Sequence, residues 1–408
     1  MKTVRSIVFW MHLMAGVVAG LVILVMSVTG ALLALKPQIL TAIESKVRTV
    51  TPPPGAVRLG PQALLASVKA ARPEGRPASM TLLADPVASA SVALGRDGTI
   101  YVDPYSGAVL GDGSKGAQQF FRTVEDWHRW LSVSPDYRPM ARSVTGASNL
   151  AFFFLALSGP YLWLPRIRSW SNVRAVLWFR PARNGRARDF NWHNVIGLWC
   201  APILMVLTIT GVVMSYPWAN ATLYRLAGSP LPVANGGPGG PAGTPPKGRG
   251  GAPNSQARDA EGRGQAPEAD AGSTPTMDKL DESCARAVEQ VPTWKSVTVR
   301  LPARAGAPIA FSIVDARSWN AFARSQLTVN SKTAAVAKWE PYDEQSRGQK
   351  WRGWVRFGHT GELAGLPGQI IAGVACVGGG FLVWTGLALA VRRLIASRRT
   401  TTRASIAA

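Results

Sequence analysis

Four long apolar runs divide the chain into spans and connecting segments. They cover Val8–Leu35, Val144–Leu164, Val195–Tyr216 and Gln369–Val391. Each run is long enough to cross a bilayer as a helix, because about 30 Å of hydrocarbon needs roughly 20 residues. The first run exceeds the roughly 7–15 apolar residues of a secretory signal, and no A-x-A cleavage site follows it. The pattern predicts a membrane α-helical protein with a four-helix transmembrane bundle, whose first helix is a retained anchor.

Positively charged residues beside these runs predict the orientation. Lys2 and Arg5 precede the first run, and Arg392 and Arg393 follow the fourth. The connection between the second and third runs contains one acidic residue, Asp189, and seven arginines: Arg166, Arg168, Arg174, Arg180, Arg183, Arg186 and Arg188. Because Lys and Arg accumulate on the cytoplasmic side, we expect both chain ends in the cytoplasm of a bacterial inner (plasma) membrane. The stretches 36–143 and 217–367 are then periplasmic.

Composition narrows the class of protein. The net charge is +22, but the cations cluster beside apolar runs and no zinc-finger or RNP-type pattern occurs, so no nucleic-acid partner is expected. Cys200 and Cys376 lie inside apolar runs and Cys284 has no evident partner, which leaves no disulfide framework. The chain has no CxxCH motif, so any haem would be b-type and held by side-chain ligands alone.

Both outer segments have the pattern of a small α+β unit. In the first, we predict a helix at Pro61–Ala71. Four strands are predicted after it, at Ser79–Leu83, Ser91–Leu94, Thr99–Val102 and Ala108–Leu110. The second begins with a Pro/Gly-rich tract, Ser229–Thr276, which is typical of a flexible linker. A helix and four strands are predicted after it, at Met277–Gln290, Ser296–Leu301, Ile309–Val314, Gln326–Asn330 and Ala334–Lys338.

The chain contains four histidines, one near an end of each apolar run. His12 and His193 lie at predicted cytoplasmic ends, and His128 and His359 precede spans on the outer side. Two imidazoles on each membrane face, from different helices, are the ligand set of two bis-imidazole haems. Ionisable groups in membrane segments are functional candidates. We therefore predict two haem b groups with these histidines as axial ligands; two metal sites or a proton relay are the alternatives.

Small residues and arginines accompany the histidines. The positions four and eight residues after His12 and His193 are small and leave room for a flat macrocycle: Gly16, Gly20, Gly197 and Ala201. Arg129, Arg352 and Arg356 stand near the outer histidines. They are candidates for forked hydrogen bonds to haem propionates or for contacts with an anionic substrate.

A Ser/Thr-Gly pair recurs in every run, at Thr29-Gly30, Ser158-Gly159, Thr210-Gly211 and Thr385-Gly386. His12 precedes Gly30 by 18 residues, and His193 precedes Gly211 by the same number. Eighteen residues are five helical turns, so each glycine lies on the helix face of its histidine. The matched spacing favours a duplicated unit; close helix packing at small residues is the simpler explanation.

In their order, these motifs resemble the PepSY-associated transmembrane helix family. This family comprises iron-regulated inner-membrane proteins, ferric-siderophore reductases among them. The matching stretches of the first half are His12 with Gly16, Thr29-Gly30, YVDPYSGAVLG at 101–111, WHRWL at 127–131 and LSGPYLWLPR at 157–166. Those of the second half are NWH at 191–193, Thr210-Gly211, GHTG at 358–361 and WTG at 384–386. The resemblance covers nearly the whole chain, but the insert at 229–276 departs from the compact pattern and the second PepSY-like unit is weaker.

The resemblance implies transmembrane helices joined by two periplasmic α+β (PepSY-like) units. The predicted organisation is transmembrane helix 1 (1–35), PepSY-like unit 1 (36–143), transmembrane helix 2 (144–164), a cytoplasmic Arg-rich loop (165–194), transmembrane helix 3 (195–216), a periplasmic segment with the linker (217–276), PepSY-like unit 2 (277–367), transmembrane helix 4 (368–391) and a cytoplasmic tail (392–408).

The resemblance also implies a dihaem b-type electron path. Electrons would come from a quinol or a cytoplasmic reductant and pass to a periplasmic Fe(III)–siderophore, which releases Fe(II). On topology alone, His128 and His359 would hold the outer haem, and His12 and His193 the inner one.

Three other functions are compatible with the sequence. A quinol-linked cytochrome with another acceptor would use the same ligands. A non-enzymatic scaffold would use its PepSY-like units to bind peptides or inhibit a peptidase, without haem. A metal transporter is disfavoured, because the spans contain almost no acidic residues to neutralise a cation.

Overall fold

The computed structural model describes residues 2–163, 170–181, 184–232, 278–302, 304, 306–318, 320 and 322–407, without the side chains of residues 2, 96, 175 and 397–407. Most of the predicted linker, Met277, Arg166, Arg168 and Arg183 lie outside these residues. The helices are α1 (Lys2–Ala34), α2 (Lys36–Ile43), α3 (Ser45–Arg48), α4 (Pro61–Ala71), α5 (Lys115–Trp130), α6 (Arg138–Trp163), α7 (Trp170–Leu177), α8 (Gly185–Ser215), α9 (Pro217–Leu226), α10 (Leu280–Gln290), α11 (Arg347–His359) and α12 (Gly365–Ala407).

Four of these helices, α1, α6, α8 and α12, form a bundle and are long and apolar enough to cross a membrane. Helices α1 and α8 each pack against both α6 and α12, so the four make a closed square. Large apolar side chains on the outside of the bundle are exposed, among them Val18 (75%), Leu21 (71%) and Trp384 (70%). Water would not tolerate an apolar surface of this extent, whereas lipid does. The four predicted spans are confirmed.

The strands form one antiparallel sheet at one end of the bundle. They are β1 (Ser79–Leu83), β2 (Ala90–Ala93), β3 (Thr99–Val102), β4 (Val109–Asp112), β5 (Trp294–Arg300), β6 (Ile309–Asp315), β7 (Arg324–Val329) and β8 (Val336–Glu340). Their order is β4-β3-β2-β1-β5-β6-β7-β8. The two units, which the sequence analysis treats separately, meet where β1 pairs with β5, with Met80 opposite Val299. Helices α4 and α10 cover the apolar face of this shared sheet.

Helices α5 and α11 connect the sheet to the bundle, and the sequence analysis does not predict them. The side chain of Ser114 caps α5 by accepting a hydrogen bond from Ala117 N, and Leu131 ends the helix with φ 52°. A capping box formed by Ser346 and Gln349 starts α11. Each helix ends near a histidine, His128 or His359, just before α6 or α12 begins. The caps define where α5 and α11 begin, and each helix has a histidine in its last turn, at the sheet end of the bundle.

Glu44, buried between α2 and α3, ties the end of α1 to the sheet and to α5. Its carboxylate accepts hydrogen bonds from Tyr101 Oη (2.8 Å), Ser114 N (3.0 Å) and Gln118 Nε2 (2.9 Å) and pairs with Arg48 (2.6 Å). Burial alone would raise the pKa of Glu44, but the hydrogen bonds from Gln118, Arg48 and Tyr101 outweigh it, and its pKa lies below the ordinary value. The ionised carboxylate therefore stabilises this junction.

Candidate functional site

The structure brings the four histidines together in two pairs, one at each end of the bundle. At the sheet end, the ring centres of His128 and His359 lie 6.3 Å apart with an interplanar angle of 55°. At the end that holds the chain termini, those of His12 and His193 lie 6.5 Å apart at 81°. We call these the sheet-end pair and the terminal-end pair. The pairs are those that topology predicts for the outer and the inner site.

Both ring separations suit two imidazoles that share one metal atom. Metal–imidazole bonds are about 2.0–2.1 Å long, and a ring nitrogen lies about 1.1 Å from its ring centre, so two coaxial ligands have ring centres about 6.3 Å apart. Each pair supplies only two ligands, and in the described part of the chain no group of three or more His, Cys, Asp or Glu side chains is placed to hold a metal ion. Two axial imidazoles complete the coordination of a haem iron, since the macrocycle supplies the other nitrogens.

A hydroxyl group from a Ser/Thr-Gly pair holds Nδ1 of every histidine. The four Nδ1–Oγ distances are 2.8 Å for His12–Ser158, 2.9 Å for His128–Thr29, 2.9 Å for His193–Thr385 and 3.1 Å for His359–Thr210. The same contact thus occurs four times, and each hydroxyl comes from the same half of the chain as its histidine. The recurring motif has a local function at each ring, beyond the helix packing that the sequence suggests.

The hydroxyl geometry fixes the tautomer of the rings. Each hydroxyl donates to a carbonyl one turn back in its own helix: Ser158 to Phe154 O (2.7 Å), Thr29 to Val25 O (2.6 Å), Thr210 to Val206 O (2.6 Å) and Thr385 to Phe381 O (2.7 Å). A hydroxyl has one proton, so towards the histidine it acts as an acceptor and Nδ1 is the donor. His359 Nδ1 also donates to Leu207 O at 2.9 Å. A ring protonated at Nδ1 has its Nε2 lone pair available to a metal.

The glycine that follows the hydroxyl gives the imidazole room. A Cβ atom on Gly30 would lie 3.4 Å from His128 Cε1, and one on Gly386 would lie 3.4 Å from His193 Cε1. Gly159 has the same relation to His12 at 3.8 Å. At Gly211 the three nearest atoms all belong to Asn149, at 2.9–3.3 Å. Gly30, Gly159 and Gly386 therefore lie against the ring that the preceding hydroxyl holds.

A cavity of about 960 Å³ opens beside the terminal-end pair. Helices α1, α6, α8 and α12 all line it, and both His12 and His193 face it. Of the four predicted small positions, three line the cavity: Gly16, Gly197 and Ala201. Gly20 instead packs against Val383 and Leu387 of α12. A volume of this size is at the upper end of small-molecule sites and can hold a flat macrocycle.

The three predicted arginines lie around the sheet-end pair. Arg129 stacks its guanidinium 4.2 Å from the centre of the Trp130 ring, and Arg356 lies over Phe357 at 5.7 Å. Burial lowers the pKa of Arg352, and the positive charges of Arg356 and Arg142 lower it further, against the opposing effect of Tyr224. Within the described residues, none of the three predicted arginines forms an ion pair. Glu125 and Asp126 lie close enough to act on the charge of Arg129, but they form ion pairs with Lys36 and Arg138. Arginine side chains without a salt bridge at this end suit an anion.

The fold and the paired sites define the class: a helical membrane protein with an antiparallel sheet at one end. The chain belongs to the family of the PepSY-associated TM region, whose pattern matches residues 9–393. No curated protein matches the chain. The resemblance that the motifs indicate is thereby confirmed at the level of the family.

Proposed function

We propose that this protein is a dihaem b-type oxidoreductase of the bacterial inner membrane that reduces periplasmic Fe(III)–siderophores. The observation that carries the proposal is the paired geometry of the histidines. Both pairs have the ring separation of two imidazoles that share one metal atom, and every Nδ1 donates to a hydroxyl, which would leave Nε2 for iron. His12 and His193 would hold the inner haem, and His128 and His359 the outer one.

The positions of the two sites suit a path across a bilayer. On α1, His12 belongs to the terminal-end pair and Thr29 orients His128 of the sheet-end pair. Seventeen residues of helix separate these two positions, which corresponds to a rise of about 25 Å. The hydrocarbon core is about 30 Å thick, so haems at these sites would lie near its opposite faces. The arginine-rich terminal end faces the cytoplasm by the positive-inside rule, and the sheet then lies in the periplasm.

The haems supply reversible one-electron transfer when bound, and the chain provides their binding and surroundings. The histidines would hold the haems, and the hydroxyls orient the histidines. The apolar bundle would limit the access of water to the path. A quinol donor gives two electrons and two protons, which suffices to reduce two Fe(III) to Fe(II). Hard oxygen ligands bind Fe(II) less tightly than Fe(III), so iron dissociates from the chelate after its reduction.

The acceptor would approach the sheet end. Arg129, Arg352 and Arg356 surround the outer histidines without ion pairs in the described residues, so they attract an anionic chelate or pair with propionates of the outer haem. A siderophore is the acceptor that the family resemblance implies, and a periplasmic protein is the acceptor of the alternative quinol-linked cytochrome.

The first experiment is a reduced-minus-oxidised visible spectrum of the purified protein with its haem-to-protein ratio. We expect two b-type haems in wild type, and one in each of His12→Ala, His128→Ala, His193→Ala and His359→Ala. Ser143→Ala is a matched control on α6, because in the described residues its hydroxyl bonds Pro139 O and no histidine. A protein that takes up no haem under haem-sufficient conditions would refute the proposal and favour a peptide-binding scaffold.

A second experiment identifies the acceptor. The dithionite-reduced protein, freed of reductant, is mixed with ferric siderophores while haem absorbance is followed. Reoxidation with stoichiometric release of Fe(II) supports siderophore reduction. If both haems stay reduced in the presence of every siderophore tested, siderophores are not the acceptor, and the alternative of a quinol-linked cytochrome with another acceptor remains.

A further inference from the structure

Two arginines occupy equivalent positions in the two halves of the terminal-end cavity. Arg5 precedes His12 by seven residues on α1, and Arg186 precedes His193 by seven residues on α8. Seven residues are close to two helical turns, so each arginine lies on the face of its histidine, about 10 Å nearer the terminal end. Both arginines line the cavity that the two histidines face. The matched offsets therefore place a cation at the same helical distance from each terminal-end histidine.

The cavity has an apolar interior and a cationic rim. Gly16, Gly197 and Leu204 line its inner part, whereas Arg5, Arg186 and Arg393 line the terminal end. No Asp or Glu belongs to the described lining. Asp189, which follows Arg186 on α8, is buried and pairs instead with Arg188 (3.0 Å) and Arg392 (3.0 Å). Its charge is therefore compensated outside the cavity, and the rim keeps its positive charge.

The rim arginines retain donors for a ligand. Arg5 directs one nitrogen to the carbonyl of Leu162 at the end of α6, which orients its guanidinium and leaves its other N–H groups. Arg186 forms no ion pair within the described residues. Arg393 is stacked 4.8 Å from the ring centres of both Phe9 and Trp10, so it adds positive charge from a fixed position. A ligand suited to this cavity is a flat apolar body with carboxylates along one edge.

We propose that Arg5 and Arg186 bind the two propionate groups of the inner haem and fix its orientation, with the carboxylate edge toward the terminal end. The proposal rests on the function proposed above, since it concerns the haem that His12 and His193 would hold. Each guanidinium offers a fork of N–H donors that matches a carboxylate, which a lysine does not. The equivalent positions of the two arginines correspond to the two propionates, one for each half of the chain.

The test compares haem b with its dimethyl ester, in which both carboxylates are neutral. The full-length His128→Ala protein is used so that only the inner site is filled, and haem transfer to apomyoglobin measures dissociation. In this background we expect the ester to dissociate at least about tenfold faster than haem, since it loses two charge-assisted contacts. The Arg5→Gln/Arg186→Gln variant should release haem and ester at similar rates. Arg174→Gln, on α7 outside the cavity, is the control. It should release the ester faster than haem by the same factor as the background protein does.

The outcomes separate the two proposals. If neither wild type nor the background protein takes up haem, the proposed function fails, and if wild type takes up haem but the folded background does not, His12 and His193 do not hold a haem and the assignment of Arg5 and Arg186 falls with them. If it takes up haem but releases haem and ester at equal rates, or if the double variant still discriminates between them, only the assignment of Arg5 and Arg186 is wrong. Arg5→Lys and Arg186→Lys keep the charge without the fork and should discriminate to an intermediate extent, and circular dichroism shows that each variant is folded.

Discussion

The hydroxyl contacts predict that removing Ser158 and removing Thr210 have different consequences. The Ser158 hydroxyl is the only hydrogen-bond acceptor of His12 Nδ1 in the described part of the chain. His359 Nδ1 instead has two acceptors, Thr210 Oγ1 at 3.1 Å and the Leu207 carbonyl at 2.9 Å. Ser158→Ala therefore leaves a donor without a partner, whereas Thr210→Val leaves the Leu207 carbonyl in place.

The size of the difference follows from the cost of an unpaired donor. Leaving a buried N–H without an acceptor costs about 1–3 kcal/mol, and about 1.4 kcal/mol is a tenfold change in an equilibrium constant. Ser158→Ala should therefore weaken haem binding at the inner site by about 10- to 100-fold, the range usual for outer-shell partners of metal ligands. Thr210→Val should weaken binding at the outer site by no more than about threefold, because the carbonyl still accepts the proton.

The inner midpoint potential gives a second, independent measure. A histidine that donates from Nδ1 is a stronger ligand, which favours the ferric state. Its loss in Ser158→Ala should raise the midpoint, by about 59 mV for each tenfold change in the ferric-to-ferrous affinity ratio. Haem transfer to apomyoglobin and a redox titration measure both effects. Ser158→Thr, which keeps the hydroxyl, and Ser143→Ala are the controls.

Two results would contradict this reasoning. One is a Ser158→Ala protein with the haem dissociation rate and midpoint of wild type. The other is a Thr210→Val protein more severely affected than Ser158→Ala, because the second acceptor of His359 would then have no effect.

Three further predictions concern stability, each measured by thermal or acid unfolding in detergent. Gly348→Ala should lower the free energy of unfolding by about 1–3 kcal/mol, because its Cβ would overlap the buried ring of Tyr224. Gly353→Ala has open space at its Cβ, so it should leave the free energy of unfolding unchanged or raise it by about 0.5–1 kcal/mol. Equal effects of the two substitutions would contradict the packing of α11. Asp189→Asn should lower the free energy of unfolding by about 2–3 kcal/mol, because it breaks the ion pair with Arg392 that joins α8 to α12 and the pair with Arg188 within α8; an unchanged melting temperature would contradict this. The pKa of Glu44 in the folded protein lies below its ordinary value of 4.5, so the ionised carboxylate stabilises the fold fully above pH 4.5, and this stabilisation is lost as the pH falls through the folded-state pKa. Glu44→Gln should therefore be less stable than wild type at pH 7 and should lose less stability on acidification. Equal loss of stability by the two proteins on acidification would contradict this.

The spans and the strands were predictable because each has a regular apolar period. Residues Ser79–Leu83 and Thr99–Val102 form strands with the predicted bounds, and Pro61–Ala71 forms a helix with the predicted bounds. Helices α5 and α11 have no long apolar run and were not predicted, although α5 has the one-sided apolar pattern of an amphipathic helix, with Phe121 and Val124 buried. The S-x-x-Q sequence that starts with Ser346 indicates the beginning of α11 and was available in the sequence. The joining of two units into one sheet depends on pairing between distant strands, for which a single sequence has no local pattern.

Of the candidate site, the sequence predicted the membership of each histidine pair, since topology alone assigns two histidines to each end. That they bind haem stays a prediction. The Ser/Thr-Gly pairs were recognised as a repeat, but their contact with Nδ1 was not, because Thr29 and His128 are 99 positions apart and meet only through packing. Arg5 and Arg186 were assigned to topology alone. Their matched seven-residue offset from His12 and His193 was the feature that would have connected them to the site.

The two halves of the chain depend on each other for assembly, because neither half contains a complete histidine pair. The first half provides His12 and His128 with the hydroxyls that orient them, and the second provides His193 and His359 with theirs. A ligand bound by either pair therefore joins the two halves, and its binding free energy adds to that of their assembly. Pairing of β1 with β5 joins the same halves beyond the bundle. If the pairs hold haems as proposed, loss of one should loosen the interface that forms the other site. Binding at the two ends should then be positively coupled, although about 25 Å of helix separates them.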